Sequence, residues 1–201
     1  MDVSLISKAT EFARSVFAQD ASGHDFDHTM RVYRMAVRIA EEEGADAELV
    51  ALAALLHDVD DRKLSPETYE KKDRAVGFLR NKGIGEEKIS TIVSIISQIS
   101  FSAGNGRPDT LEGCCVQDAD RLDALGAIGI ARTFAFGGSR GRRMHDPEME
   151  DKGSSIQHFY DKLLLLRDRM TTETGRKLAM ERDAFMRTFL DQFYAEWDGI
   201  R

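Results

Sequence analysis

The sequence is poor in cysteine, in proline, in long apolar runs and in positive charge, and each shortage excludes a class of protein. Only two of its 201 residues are cysteine and only three are proline, so it is neither a disulfide-stapled secreted scaffold nor a proline-rich disordered segment. No apolar run approaches the roughly 18 residues of a membrane span, and the first residues lack the basic start and apolar stretch of a signal peptide. We therefore expect a cytoplasmic protein that does not bind membranes.

Positive charge is also scarce. The chain has 28 lysines and arginines against 35 acidic residues, which gives a net charge of −7. This balance predicts no stable binding to nucleic acid, because such binding depends on neutralising phosphates. The 42 % hydrophobic content is enough for one substantial core. The two cysteines, Cys114 and Cys115, are adjacent and rarely bridge in that arrangement, so we expect reduced, buried thiols.

What the sequence does contain is helical periodicity. Apolar residues recur every three to four positions along most of the chain, and no segment alternates convincingly as a strand would. The fold class is therefore all-α. The segment 46–58 is almost entirely apolar and predicts a central helix, and Gly44 predicts the end of the helix before it. The predicted helices span 3–18, 26–43, 46–58, 67–82, 86–99, 111–136, 154–172 and 176–197.

Two connecting segments carry further expectations. Ser65 and Pro66 predict the start of the helix 67–82, with Ser65 as its cap. The glycine-rich loop 137–153 contains three arginines and is open to two interpretations. It could be a lid that closes over an anionic ligand, or it could be a mobile, solvated loop. The three arginines are Arg140, Arg142 and Arg143.

The most informative motif is the pair His57-Asp58 at the end of the apolar helix. An imidazole and a carboxylate at the edge of a core are costly to leave without partners, and a divalent cation would satisfy both. His28 and Asp120 could complete the site. Two histidines and two aspartates form a mixed nitrogen and oxygen set that suits a first-row divalent ion with positions left open for water.

The helix around Asp120 supports this interpretation and also allows another. Asp120 and Asp123 share a face with small apolar residues, whereas Asp118 falls on a different side. Two carboxylates on such a face need a cation or strong hydrogen-bond donors. The alternative is a cluster that only caps a helix or forms salt bridges.

Several residues near these ligands are candidates for chemistry. Arg31 lies one turn after His28, where a guanidinium could contact a metal-bound phosphate. Asp61 lies three residues after Asp58, where a carboxylate could orient or deprotonate an activated water, although Asp60 and Asp61 could equally be a solvent-exposed acidic pair. His24 could face the same cavity if the helix begins early enough.

Near the carboxyl end, His158 and Lys162 are spaced four residues apart in the predicted helix 154–172. Lys162 could reach a phosphate of the substrate, or it could be a surface lysine whose aliphatic stem lies over the core.

Four motifs in this order resemble the HD-domain superfamily of metal-dependent phosphohydrolases. The last of them resembles a motif of small stand-alone bacterial members. They are Gly23–Val32 (GHDFDHTMRV), Ala53–Val59 (AALLHDV), Asp118–Arg132 (DADRLDALGAIGIAR) and His158–Leu164 (HFYDKLL).

The resemblance implies specific roles for residues. The family's metal ligands fall on His28, His57, Asp58 and Asp120. Asp61 matches a position that is acidic in members that hydrolyse guanosine tetraphosphate, and Asp123 lies where some members contact substrate. Members with two metals use additional histidines, and this chain has only five, so one ion is expected: manganese, magnesium, iron, nickel, cobalt or zinc.

The expected protein is therefore a single compact HD domain over residues 1–201, with the metal site between helices. Its metal-site core spans about 20–135 and its C-terminal helices about 154–197. The expected function is hydrolysis of a nucleotide or another small phosphoester by a metal-activated water, with catalytic residues Asp61 and Arg31. Four further residues are expected to bind the substrate: His24, Asp123, His158 and Lys162. The alternative is a non-catalytic module that binds metal and nucleotide. An acidic helical protein of this kind could form a homodimer.

Overall fold

The computed structural model describes residues 2–18, 26–61, 66–99, 106–148 and 153–200, which form helices joined by turns and contain no strand. The all-α prediction is confirmed. None of the described helices is long and apolar enough to cross a bilayer. In chain order the helices are α1 (Val3–Phe17), α2 (Phe26–Glu43), α3 (Ala47–Leu56), α4 (Asp73–Asn81), α5 (Glu86–Ile99), α6 (Leu111–Asp123), α7 (Gly126–Ser139), α8 (Ser155–Asp161) and α9 (Glu173–Trp197).

The chain divides into two compact units, Met1–Asp120 and Arg121–Arg201, with the division inside α6. In the first unit α3 packs against α1, α2 and α5. Its residues from Val50 to Leu56 have no exposed surface. The apolar segment that the sequence marks as central is thus the core helix of this unit. The interpretation of residues 1–201 as one domain stays a prediction.

Local signals set where α3 begins. Gly44 takes a φ of +76°, and the Ala45 N–H donates to the Ala40 carbonyl at 2.9 Å, which ends α2 as predicted. The Asp46 side chain then accepts hydrogen bonds from the N–H groups of Glu48 and Leu49. With this start fixed, His57 is the first residue after the last turn of the core helix.

Two long predicted helices are wrong. The segment 111–136 is divided into α6 and α7, because Gly126 adopts a φ of +69°, which a side-chain-bearing residue rarely takes. The segment 154–172 forms only α8 before the chain tightens into short 3₁₀ turns at Leu163–Leu165 and Arg167–Arg169. Lys162 therefore follows α8 and does not share a helical face with His158.

The predicted helix 67–82 also begins later than expected. Residues 66–72 form turns, so Pro66 does not open a helix, and α4 starts at Asp73. The proposed cap, Ser65, lies outside the described residues. The residue that precedes α4 is Lys72, whose backbone is left-handed with a φ of +54°.

In the second unit, the described part of the arginine-rich loop is anchored. Helix α7 continues to Ser139, so the loop begins later than predicted. The Arg142 N–H donates to the Gly137 carbonyl at 2.8 Å, and the Arg143 carbonyl accepts from the Ser155 N–H at 2.9 Å. The ring of His145 packs edge-on against three aromatic side chains of α9, namely Phe193, Tyr194 and Trp197.

The two cysteines lie in α6 and are free and buried, as predicted. Burial is the main cause that raises the pKa of the Cys115 thiol to about 12, with smaller contributions from Glu43 and Asp118. This thiol therefore stays protonated at neutral pH.

Candidate metal centre

Four side chains of the first unit meet at one point. His28 lies near the start of α2, His57 and Asp58 follow α3, and Asp120 lies in the last turn of α6. The Asp58 Oδ2 atom is 3.2 Å from His57 Nε2 and 3.6 Å from His28 Nε2. The Asp120 Oδ1 atom is 3.4 Å from His28 Nε2. Ligand-capable atoms of the two histidines and Asp120 all lie within 4.8 Å of one another.

The tautomer of His57 follows from its hydrogen bond. Its Nδ1 lies 2.8 Å from the carbonyl oxygen of Ala54, which can only accept, so Nδ1 carries the hydrogen. In the neutral ring Nε2 then holds a lone pair. This buried Nε2 has no hydrogen-bond partner although the Asp58 carboxylate is close. A lone pair that faces a carboxylate across this distance fits a bound cation, and a hydrogen-bonded Nδ1 is the usual support of a metal-binding histidine.

The electrostatics of the cluster agree with its geometry. Burial by itself lowers the pKa of His57, but the charge and hydrogen-bonding capacity of the Asp58 carboxylate, followed by the charge of Asp120, more than offset it, so the net pKa is raised. A proton on Nε2 can therefore take the place between His57 and Asp58 when no metal ion is bound. Burial raises the pKa of Asp120, and the hydrogen bond and charge from His28 outweigh it, so the net pKa is lowered. The site therefore favours positive charge beside its carboxylates.

The cluster is open on one side. The side chains of His28 and His57 are 3 % and 4 % exposed, whereas those of Asp58 and Asp120 are 15 % and 31 % exposed. A ligand can thus approach on the Asp120 side, while the imidazoles are closed off from water.

The predicted catalytic residues belong to the same unit. Arg31 is half-buried on α2, one turn after His28. Asp61 is half-buried, and its N–H donates to the Asp58 carbonyl at 3.0 Å, which continues the turn that carries the ligands. His24 lies outside the described residues. The roles of all three stay predictions.

Asp60 has a structural role that its sequence neighbourhood does not indicate. This residue has no exposed surface, so it does not belong to a solvent-exposed acidic pair. Its Oδ1 accepts the N–H of Arg74 at 3.1 Å, and its Oδ2 accepts the N–H of Ala75 at 3.0 Å. Asp60 thus attaches the start of α4 to the turn that holds His57 and Asp58. No local pattern indicates this bond, because its partners lie 14 and 15 residues further along the chain.

The other predicted substrate contacts lie in the second unit. Asp123 is buried and pairs with Arg132 at 2.6 Å. His158 is half-buried in α8, and burial, followed by the nearby charges of Lys162 and Arg142, lowers its pKa. Lys162 is half-buried directly after α8. Their roles as substrate contacts stay predictions.

Comparisons with known proteins extend the similarity over most of the chain. The profile of the HD domain matches residues 25–125. An uncharacterised protein of Bacillus subtilis, YpgQ, is 41 % identical over 198 residues, which cover 94 % of this chain and 92 % of YpgQ.

Solved structures lead to the same group of proteins. An HD-superfamily hydrolase from Bacillus thuringiensis superposes with a TM-score of 0.83 at 41 % identity, with 96 % of each chain covered. The crystal structure of B. subtilis YpgQ in complex with ADP superposes with a TM-score of 0.81 at 41 % identity, covering 96 % of this chain and all of that one. One relative of nearly equal length has thus been crystallised with a nucleotide.

Proposed function

The chain belongs to the HD-domain family, and from that premise we propose that it is a metal-dependent phosphohydrolase that acts on a nucleotide or another small phosphoester. The observation that carries the proposal is the buried Nε2 lone pair of His57, which faces the Asp58 carboxylate without a hydrogen bond. The arrangement has an energetic cost unless a proton or a metal cation lies between the two groups. Ligand-capable atoms of His28 and Asp120 converge on the same point, which favours a metal ion.

The proposed ligands of one divalent ion are His28, His57, Asp58 and Asp120. Their donor atoms suit manganese, magnesium, iron, nickel, cobalt or zinc. When bound, such an ion would polarise a phosphoryl oxygen and activate a water. Asp120 has the most exposed side chain of the four, so we expect the substrate to reach the ion from its side.

Side chains of the protein perform the proton transfer, the charge neutralisation and the binding of the substrate. Asp61 accepts the proton of the attacking water, since it lies in the same turn as Asp58 and remains partly accessible. Arg31 neutralises the charge that develops on the phosphoryl group. His24, Asp123, His158 and Lys162 are the further proposed contacts to the substrate.

The nucleotide class rests on the relative that was crystallised with ADP. A nucleotide substrate also agrees with the proposed contact between Arg31 and a phosphate. The proposed domain spans residues 1–201, with the metal-site core at about 20–135 and the C-terminal helices at about 154–197.

The test is phosphate release from a broad panel of nucleotides and phosphoesters. The protein is stripped of metal and reloaded with manganese, and Asp58→Ala is assayed beside it. We expect turnover of one substrate class that requires metal and is lost in Asp58→Ala. A protein that holds no metal at all would refute the proposal. Metal binding and nucleotide binding without turnover would instead support the alternative, a non-catalytic binding module.

A further inference from the structure

Arg142 follows α7 and is held close to the start of α8. Its N–H donates to the Gly137 carbonyl at 2.8 Å. A Cβ atom at Gly137 would collide with the Ser155 Oγ atom and would lie 3.7 Å from the Arg142 Cβ atom. The end of α7, Arg142 and the first residue of α8 therefore approach one another closely, and the backbone fixes the position of Arg142 beside α8.

The guanidinium of Arg142 has an aromatic neighbour but no acidic one among the described residues. The residue is half-buried, and its Cζ atom lies 5.9 Å from the centre of the Phe136 ring. The neighbouring Arg143 lies 3.7 Å from the Asp146 carboxylate, whereas no carboxylate in the described part of the chain forms an ion pair with Arg142. A phenyl ring attracts a cation but supplies no negative charge, so this guanidinium is available to an anion.

Two residues of the α8 region add positive charge beside Arg142. His158 lies three residues after the start of α8, and the N–H of Lys162 donates to the His158 carbonyl at 3.1 Å. Both residues are half-buried. Burial, followed by the charges of Lys162 and Arg142, lowers the pKa of His158, and the charge of Asp161 opposes them with the smallest contribution. The three basic side chains thus lie close enough to act on one another, and positive charge predominates around His158.

We propose that Arg142 completes an anion site with His158 and Lys162, and that this site binds a phosphate group of the substrate. Phosphate oxygens accept charge-assisted hydrogen bonds from both a guanidinium and an ammonium, and the guanidinium can offer two parallel donors. All three residues belong to the second unit. The inference rests on the proposed function and deepens it, because it gives a phosphate contact to Arg142, a residue to which the proposed function assigns no role.

Binding of an anion can be followed at His158 without metal and without turnover. Inorganic pyrophosphate is added to the metal-free protein, and the ring protons of its five histidines are followed by NMR through a pH titration, with His158→Gln to assign the signal. A bound anion offsets the charges of Arg142 and Lys162, so we expect the pKa of His158 to rise by about one pH unit. An unchanged His158 signal, or changes confined to His28 and His57, would overturn the proposal.

Arg140 provides a matched control for Arg142. Both guanidiniums lie over the Phe136 ring, at 5.4 and 5.9 Å from its centre, so either substitution removes one positive charge from the same surface. Of the two, only Arg142 is among the charges that shift the pKa of His158. We expect Arg142→Gln to weaken calorimetrically measured pyrophosphate binding about tenfold, and Arg140→Gln to weaken it less than about twofold. Equal losses in the two variants, or no loss in Arg142→Gln, would overturn the proposal.

Arg142→Lys separates binding of the anion from a role in folding. Lysine keeps the charge and the N–H that binds the Gly137 carbonyl, so this variant should bind pyrophosphate more tightly than Arg142→Gln does and should unfold at the same temperature as the wild type. An affinity no higher than that of Arg142→Gln would overturn the proposal.

A nucleoside diphosphate distinguishes a substrate phosphate from a free anion. ADP should raise the pKa of His158 as pyrophosphate does, and a site that responds to pyrophosphate alone would overturn the assignment to the substrate. Metal-dependent turnover of the phosphoester panel together with an unresponsive His158 would refute this inference and leave the proposed function intact. A protein that holds no metal would refute the proposed function, whereas the response of His158 to pyrophosphate would be unaffected.

Discussion

Each unit holds a carboxylate that is largely shielded from water, but the two carboxylates have different partners. In the second unit, Asp183 on α9 has a side chain only 4 % exposed and accepts hydrogen bonds from Arg187 at 2.8 and 3.2 Å. Arg167 approaches the same carboxylate at 3.4 Å. In the first unit, the Asp58 carboxylate lies beside two imidazoles, with its Oδ2 atom 3.2 Å from His57 Nε2 and 3.6 Å from His28 Nε2.

The difference shows how to interpret a buried acid. A carboxylate that is supplied with arginines by its own fold, as Asp183 is, needs nothing more and serves stability. A carboxylate that faces imidazole nitrogens is neutralised when one of them is protonated or when a cation binds from outside the chain, as at a metal site. By this criterion the Asp123–Arg132 pair resembles Asp183 more closely than it resembles Asp58.

Removing Asp58 should have the largest effect, and only on function. We expect Asp58→Ala to lower the rate of phosphoester hydrolysis about a thousandfold, or about 4 kcal/mol in the barrier, because the ion would lose a charged ligand. The metal-free protein should keep its stability to urea within about 1 kcal/mol, since the Asp58 side chain is partly exposed to water. Metal content, phosphate release and urea unfolding measure the three quantities. Strong destabilisation of the metal-free variant would show that Asp58 stabilises the fold as Asp183 does, and the proposed difference between the two carboxylates would be wrong.

Adding metal should stabilise the four candidate ligands of the first unit in the way that arginines stabilise Asp183 in the second unit. With free manganese at about a hundred times its dissociation constant, the free energy of unfolding should rise by about 2.7 kcal/mol. Chemical unfolding with and without manganese measures this change. The gain should vanish in Asp58→Ala and persist in Asp183→Ala. An equal gain in all three proteins would mean that manganese binds elsewhere.

Removing Asp183 should have the opposite profile from removing Asp58. Asp183→Ala loses the charge-assisted hydrogen bonds from Arg187, so we expect the free energy of unfolding to fall by about 2 kcal/mol. Manganese content and turnover of the folded protein should not change. Urea unfolding and metal analysis on the same preparation check both parts. A variant that lost metal would show that the second unit takes part in metal binding.

The smallest effect is expected at Asp60, which holds the turn of the metal ligands in place. Asp60→Asn keeps the shape and one acceptor but loses the other, so the folded state should weaken by about 1 kcal/mol. Manganese affinity should fall about tenfold, because the residue supports the position of the ligands. Asp168→Asn, an exposed residue beside Arg167, is the matched control and should change neither quantity. Manganese affinity equal to that of the wild type would show that the turn holds its position without Asp60.

Sequence patterns predict the parts of this molecule that depend on neighbouring residues. The core helix α3, the end of α2 at Gly44 and the buried cysteines all follow from short-range periodicity or a single residue type. The four candidate ligands could be named because a histidine and an aspartate at the end of an apolar helix are unusual there. That His28 and Asp120 complete the site with them is a hypothesis from residue chemistry, which the resemblance to a family then supports.

The wrong predictions share a physical cause. Periodicity continues through Gly126, where one left-handed residue divides α6 from α7, and through Leu163–Leu165, where the helix tightens into a 3₁₀ turn. The hydrogen bonds of Asp60 and the left-handed backbone of Lys72 could not be predicted for a related reason. The partners of Asp60 are more than ten residues away, and the backbone strain at Lys72 leaves no trace in the residue order.

The reactivity of the two buried thiols of α6 can be used to measure local unfolding of this helix. Because Cys114 and Cys115 are both shielded and the pKa of Cys115 is raised to about 12, an alkylating reagent reacts with them only when α6 opens. Cys115 lies five residues before Asp120 on the same helix. The rate of alkylation in a dilute iodoacetamide pulse therefore reports how often α6 unfolds locally near Asp120. A bound metal ion should lower this rate, and the measurement needs no dye or engineered label.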